Sequence, residues 1–330
     1  MKKFVVALIV LLAIIFLITS FSELRQIGLV LQEGNIFIIG LAVLIEIGWI
    51  LVLGKSFQTL FRIVGIRKEL IPLARLVAAV NFINIVAPSA GVSGMAVIYS
   101  DAMKNGHSSA RVTVGSMLFL LFDYFGLLSI IFVGLIILFL RNTLNAADVI
   151  AFLLFLVLAL TLGGLLYLAS RSETRLIQVV SFIARTVNKI VKPFRKHEVL
   201  SEENARIFAC EVVEGVQALQ HVRRGWLRPL ILTLLNKLLL VSILGIIFLA
   251  FKVPTTIAVV VAGFSIAYLF VIISPTPAGV GIVEGVMTLA LKSLGIPLEA
   301  AMVVTLAYRS VTFWFPLLLG MISFRSLHQV

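Results

Sequence analysis

Five charged side chains lie inside long apolar runs of this sequence, and they are the residues best placed to do chemistry: Glu46, Asp123, Lys237, Glu284 and Arg309. An ionised group near the centre of a bilayer costs about 2.5–3.5 kcal/mol, so each must be paired, hydrated or functional. Arg309 is the strongest candidate, because a guanidinium can hold a phosphate through two parallel hydrogen bonds. Its alternative role is an intramembrane salt bridge with Asp123 or Glu284. The two roles are compatible, since a carboxylate can hold the arginine until a phosphodiester replaces it.

Glu284 follows Gly279-Val280-Gly281-Ile282-Val283. Glycines there let a half-helix begin close to a ligand, and its positive dipole end suits an anion; the carboxylate itself could equally cap that helix. Asp123 has three readings: partner of Arg309, proton-coupling carboxylate, or a polar group bonded to a neighbouring helix. Asn81 and Asn84 add neutral polar groups, and Tyr308 adjoins Arg309, although the tyrosines and tryptophans in general fit packing or interfacial roles. Lys237 reads as a structural residue whose amine snorkels toward the cytoplasmic face.

These residues need a frame that keeps them in the membrane, and the composition supplies one. Of 330 residues, 61% are hydrophobic and 13% charged, and the mean hydropathy is +1.16. So much apolar surface cannot be hidden within a soluble sphere. The reading is an all-α, polytopic helical bundle of about seven to eight spans. Apolar runs lie at 4–18, 36–53, 112–140, 148–169, 228–250, 255–273 and 301–323, each long enough to cross or nearly cross a ~30 Å core. The first, behind Met1-Lys2-Lys3, reads as an uncleaved helix with a cytoplasmic N-terminus, since no small-x-small cleavage site follows it.

Two further stretches, 76–100 and 274–295, are apolar but broken, one by Pro88 and Gly91 and the other by Pro275 and Pro277 with Gly279 and Gly281. A break at membrane depth leaves backbone groups that lipid cannot satisfy, so each must point into protein or a wet cavity. Each reads as a re-entrant hairpin. Ile85-Val86-Ala87-Pro88-Ser89-Ala90-Gly91-Val92-Ser93-Gly94 also resembles Ile272-Ile273-Ser274-Pro275-Thr276-Pro277-Ala278-Gly279-Val280-Gly281, which suggests an internal repeat of the kind transporters use.

The net charge of +12 orients the chain. Residues 54–75 carry five basic side chains against one acidic, and 170–228 carry eleven against six. Both segments should be cytoplasmic. The expected organisation is a first membrane unit at 1–169, a cytoplasmic amphipathic helical connector at 170–227 on the inner membrane surface, and a second unit at 228–330 in the same orientation, with the C-terminus outside. A plain linking hairpin is the alternative for the connector, and eight full crossings with a cytoplasmic C-terminus the alternative for the whole.

Metal and cofactor chemistry finds no support. Cys210 is the only cysteine, and His107, His197, His221 and His328 are scattered, so neither a disulfide nor a metal site is expected. There is no Ser/His/Asp set, paired-aspartate motif or P-loop, so an enzyme is not expected, and the basic charge belongs to topology rather than to nucleic acid.

The run Pro275-Thr276-Pro277-Ala278-Gly279-Val280-Gly281-Ile282-Val283-Glu284, followed by Tyr308-Arg309 and Phe313-Trp314-Phe315-Pro316-Leu317, resembles the lysylphosphatidylglycerol synthase transmembrane-region family. Pro88, Gly91 and Asp123 resemble its first-half counterpart, and the likeness covers nearly the whole chain. It implies a flippase-like lipid translocator in the cell membrane, without the aminoacyl-transferase domain to which such regions are often fused. Membrane lipids, above all anionic phospholipid, are then the expected partners, with a lipid-modifying enzyme as a further one. Two departures bear on the headgroup: Ala278 within the turn, and Tyr124 where relatives often carry a basic residue. A carrier for a small hydrophilic anion and a non-transporting scaffold are the alternatives.

Overall fold

A computed structural model describes residues 30–86, 92–191, 202–217, 219, 225–274 and 279–328, and every described element is helical. Helix α1 (Ile36–Ile63) begins where Asn35 accepts the Phe37 and Ile38 amides, at 3.0 and 3.4 Å, an N-cap that satisfies two of the four orphan donors. Next come α2 (Leu70–Val86), α3 (Val92–Lys104), α4 (Ser109–Leu140) and α5 (Ala146–Arg171). The connector forms α6 (Glu173–Val191) and α7 (Glu202–Gln217). The second half is α8 (Leu227–Ala250), α9 (Ile257–Ile273), α10 (Ile282–Ser293) and α11 (Leu298–Arg309), which runs through a π turn at Ser310–Trp314 into α12 (Phe315–His328).

Among the described residues, five stretches are long and apolar enough to cross a membrane: α1, α4, α5, α8 and Leu298–Ser326. Helices α2 and α9, 17 residues each, reach about 25 Å at 1.5 Å per residue, short of a ~30 Å core. They are arms of folded-back pairs. Lys68, just before α2, forms an ion pair with Asp101 near the end of α3, so the chain enters and leaves this pair at one end. In the second pair α9 packs on α10, and a Cβ on Gly263 would lie 2.6 Å from the Leu291 side chain. The pairs therefore span 70–104 and 257–293, wider than the expected 76–100 and 274–295. The run 255–273 contains α9, which packs on α10 as one arm of a helical pair. The turns bearing Pro88, Gly91, Pro275 and Pro277, and the apolar run 4–18, lie outside the described residues.

The order long helix, folded pair, long helix occurs twice, as α1–α4 and α8–α12. The halves pack reciprocally: α1 lies along α8, α2 along α12, and α9 along α4. The orientation is opposite to the expectation. The Asn35 amide donates to the Ala250 carbonyl at 3.0 Å, joining the start of α1 to the end of α8, so the equivalent helices are antiparallel and the repeat is inverted. One end of the bundle, the basic end, holds the 64–69 loop; the far end holds 34–35, 141–145 and 251–256. Gly320 of α12 packs near Ala78, and Pro316 lines a cavity with Ile85, so α12 runs toward the start of α2. The described C-terminal turn lies at the basic end, not the opposite one, because α9–α10 returns to its own side and leaves the last helix to cross back.

Two apolar cores follow. Leu53–Ile66, Leu73–Val80 and the early part of α4 form one with the buried face of α7, toward the basic end. Phe155, Phe248, Phe264 and Met287 anchor the other, toward the far end. Trp49 packs against both. The connector helices pack on each other and α7 packs on α4: Ala209, Val212, Val213 and Val216 are buried, and Glu211 accepts from Tyr99 and Thr113 at 3.2 and 3.4 Å.

Candidate functional site

The last residue of α11 is Arg309, and the helix widens immediately after it. Pro316 has no N–H to give to Thr312, and its ring excludes that carbonyl, so the helix absorbs the conflict in the π turn. Such turns are frequent at functional positions. Arg309 is 7% exposed. Its Nε donates to Glu284 Oε1 at 2.5 Å, and its guanidinium carbon lies 4.4 Å over the Phe313 ring, a cation–π contact.

Glu284 stands in the first turn of α10, whose N-cap is Gly281 at φ +81°. Gly279 has φ +75°, so both glycines occupy the left-handed region that side chains avoid. The carboxylate is oriented by the arginine on one side, while its other oxygen, Oε2, is buried without a hydrogen-bond partner among the described residues. Of the two expected partners for Arg309, the fold thus chooses Glu284. Asp123 pairs instead with Lys237, whose 5% exposure shows an inward amine, not a snorkelling one.

Two cavities meet between the halves. The larger, about 270 Å³, is lined by Arg309, Tyr308, Tyr268, Phe313, Asn84 and Trp49 among others. The smaller, about 160 Å³, contains Asp123 and Lys237. Trp49, Asn81 and Asn84 line both. Each cavity far exceeds the ~10–15 Å³ that one water requires. Asn84 Oδ1 accepts the Gly94 amide at 2.9 Å, which ties α2 to α3 across their break. Tyr308 is 2% exposed, with its hydroxyl 3.4 Å from that of Tyr268.

A family model for the lysylphosphatidylglycerol synthase TM region matches residues 4–320. The chain belongs to this family. No curated protein matches it. Membership with five apolar spanning helices makes it a multi-pass membrane protein of a family concerned with lipid metabolism or transport. In that frame Arg309, Tyr308 and Asn84 line one cavity, with Glu284 joined to it through Arg309 and Gly279 packed near Val283 and Val271 of its wall, while Gly281 is exposed and Asp123 belongs to the neighbouring cavity.

Sequence reasoning missed three residues: Phe313 and Trp49, which line the cavities, and Asn236, which lines neither. Phe313 follows Arg309 at the i, i+4 spacing that places side chains on one helix face, so that contact was legible in principle. Trp49 and Asn236 had no such signal. Their buried indole Nε1 and amide atoms, like both oxygens of the fully buried Glu46, have no hydrogen-bond partner among the described residues.

Proposed function

We propose that this protein moves an anionic phospholipid, or a lipid-linked headgroup carrying a phosphodiester, between the two leaflets of the cell membrane. The observation that carries the reading is a buried arginine held by one carboxylate at the edge of a 270 Å³ cavity within a spanning bundle. An arriving phosphodiester replaces Glu284 on the guanidinium, so the cation is never left unpaired in a low-dielectric interior. Apolar residues beside it, Phe313, Val271, Ile85 and Pro316, suit an amphiphile whose tails stay in lipid.

In this reading α2–α3 and α9–α10 are re-entrant hairpins that enter from opposite leaflets. The N-terminus of α10, with Gly281 at φ +81°, supplies backbone dipoles beside Glu284. The basic end is cytoplasmic, with the connector and the described C-terminal turn on that side and the start of α1 at the opposite face. The bundle carries lipid without altering it chemically.

The test is reconstitution into liposomes with fluorescent phosphatidylglycerol, comparing the wild type with Arg309→Ala and Glu284→Gln. Leaflet exchange should be fast with the wild type and should collapse without Arg309. Equal exchange in protein-free and protein-containing vesicles, across several lipid classes, would refute the proposal.

A further inference from the structure

Lys237 and Asp123 form a second ion pair inside the bundle, and nothing in the lipid-carrying scheme above uses it. The cation is the buried member: the side chains are 6% and 26% exposed for Lys237 and Asp123 respectively. An amine so placed is held only by its counter-ion, and removing that ion without replacement is costly. The arrangement repeats the logic of Glu284 and Arg309: one buried cation, one carboxylate able to step aside, one adjoining cavity.

The two cavities share a wall, and its composition is specific. Asn81 and Asn84 contribute amides, and Trp49 contributes an indole N–H, which can only donate a hydrogen bond. That N–H is buried without a hydrogen-bond partner among the described residues, on a side chain that lines both cavities. A merely structural ion pair needs neither an adjoining cavity nor an unsatisfied donor between it and a second cation.

We propose that Lys237 is a second binding station for the phosphate of the same headgroup, and that the headgroup passes between Lys237 and Arg309 with the Trp49 N–H donating to it on the way. Asp123 and Glu284 are the competing anions that hold each cation when its station is empty. This deepens the lipid-transport reading and rests on it.

The experiment uses the full chain in liposomes with fluorescent phosphatidylglycerol in the membrane and inorganic phosphate outside. Lys237→Gln should slow lipid exchange at least tenfold, Lys237→Arg should restore most of it, and Trp49→Phe, which keeps the ring and removes the donor, should slow it severalfold. Because Lys237→Gln also strands Asp123, the deciding variant is Lys237→Gln with Asp123→Asn, which removes both charges and keeps both shapes. If the pair is only a fastener, the double variant regains wild-type exchange; if Lys237 binds the headgroup, it stays slow while its unfolding in detergent returns toward the wild type. Regained exchange, with Arg309→Ala still inactive, overturns this inference alone. Silence of the wild type overturns the lipid reading beneath it, and phosphate uptake without lipid exchange would make the cargo a free anion and overturn both.

Discussion

The Arg309–Glu284 contact makes a quantitative prediction. Both side chains are nearly buried, at 8% and 12% exposure, so solvent screening removes little of their interaction. Replacing Glu284 by Gln leaves a buried guanidinium without its carboxylate, and breaking such a pair costs about 3–5 kcal/mol. Arg309→Gln strands the carboxylate instead and also loses the contact with Phe313, worth about 0.5–2 kcal/mol, so it should be the more damaging. In the double Gln variant neither charge remains, and two amides of similar shape face each other. The double should therefore be more stable than the sum of the singles implies, by about 2–3 kcal/mol of coupling. Titration with a denaturing detergent in mixed micelles, followed by tryptophan fluorescence, measures all four corners of the cycle. Strict additivity would refute the argument, because it would mean that the two groups do not share an interaction.

Three further outcomes follow from packing and topology. A Cβ on Gly320 would lie 2.5 Å from the Ala78 carbonyl and 2.8 Å from Phe82 Cβ, so Gly320→Val should cost about 1–3 kcal/mol through overpacking, whereas Gly48→Ala, with open space around it, should be neutral or favourable in a thermal melt. Asn84→Ala removes the bond to the Gly94 amide and strands a buried donor, a loss of about 1–3 kcal/mol; hydrogen exchange at the start of α3 should quicken, and unchanged exchange there would count against the tie. Cys210, exposed and the single thiol, and a tag fused to the C-terminus should react with impermeant reagents from the same side of the membrane; labelling from opposite sides would overturn the arrangement of α8–α12.

Much of this was legible because lipid imposes strict rules. Pro and Gly within apolar runs marked both folded pairs, and the basic loops marked one end of the bundle. The direction of the second half was not legible. A 17-residue apolar helix such as α9 has the same hydropathy whether it runs on or folds back on its neighbour, so hydropathy alone does not say at which end of the bundle the last helix finishes. The partner of Arg309 was hidden for the same reason. Asp123 and Glu284 are equally good carboxylates in sequence, and only the antiparallel packing of α1 with α8 and of α4 with α9 decides that Asp123 meets Lys237. The width of the hairpins was underestimated because Arg75 reads as a loop residue, although it lies inside α2.

Helix α5 acquires a purpose from the same geometry. The unit α1–α4 begins and finishes at the far end of the bundle, so a copy appended directly to it would start there too and would run parallel to the original. Parallel copies could not form the head-to-tail contact of Asn35 with Ala250. One additional apolar crossing, from Ala146 to Arg171, changes an even number of passages into an odd one and turns the second copy over. On this view α5 needs no functional side chain. Its contribution is arithmetical, and a shortened chain that lacked α5 but kept both units should misassemble even with every residue of the two cavities in place.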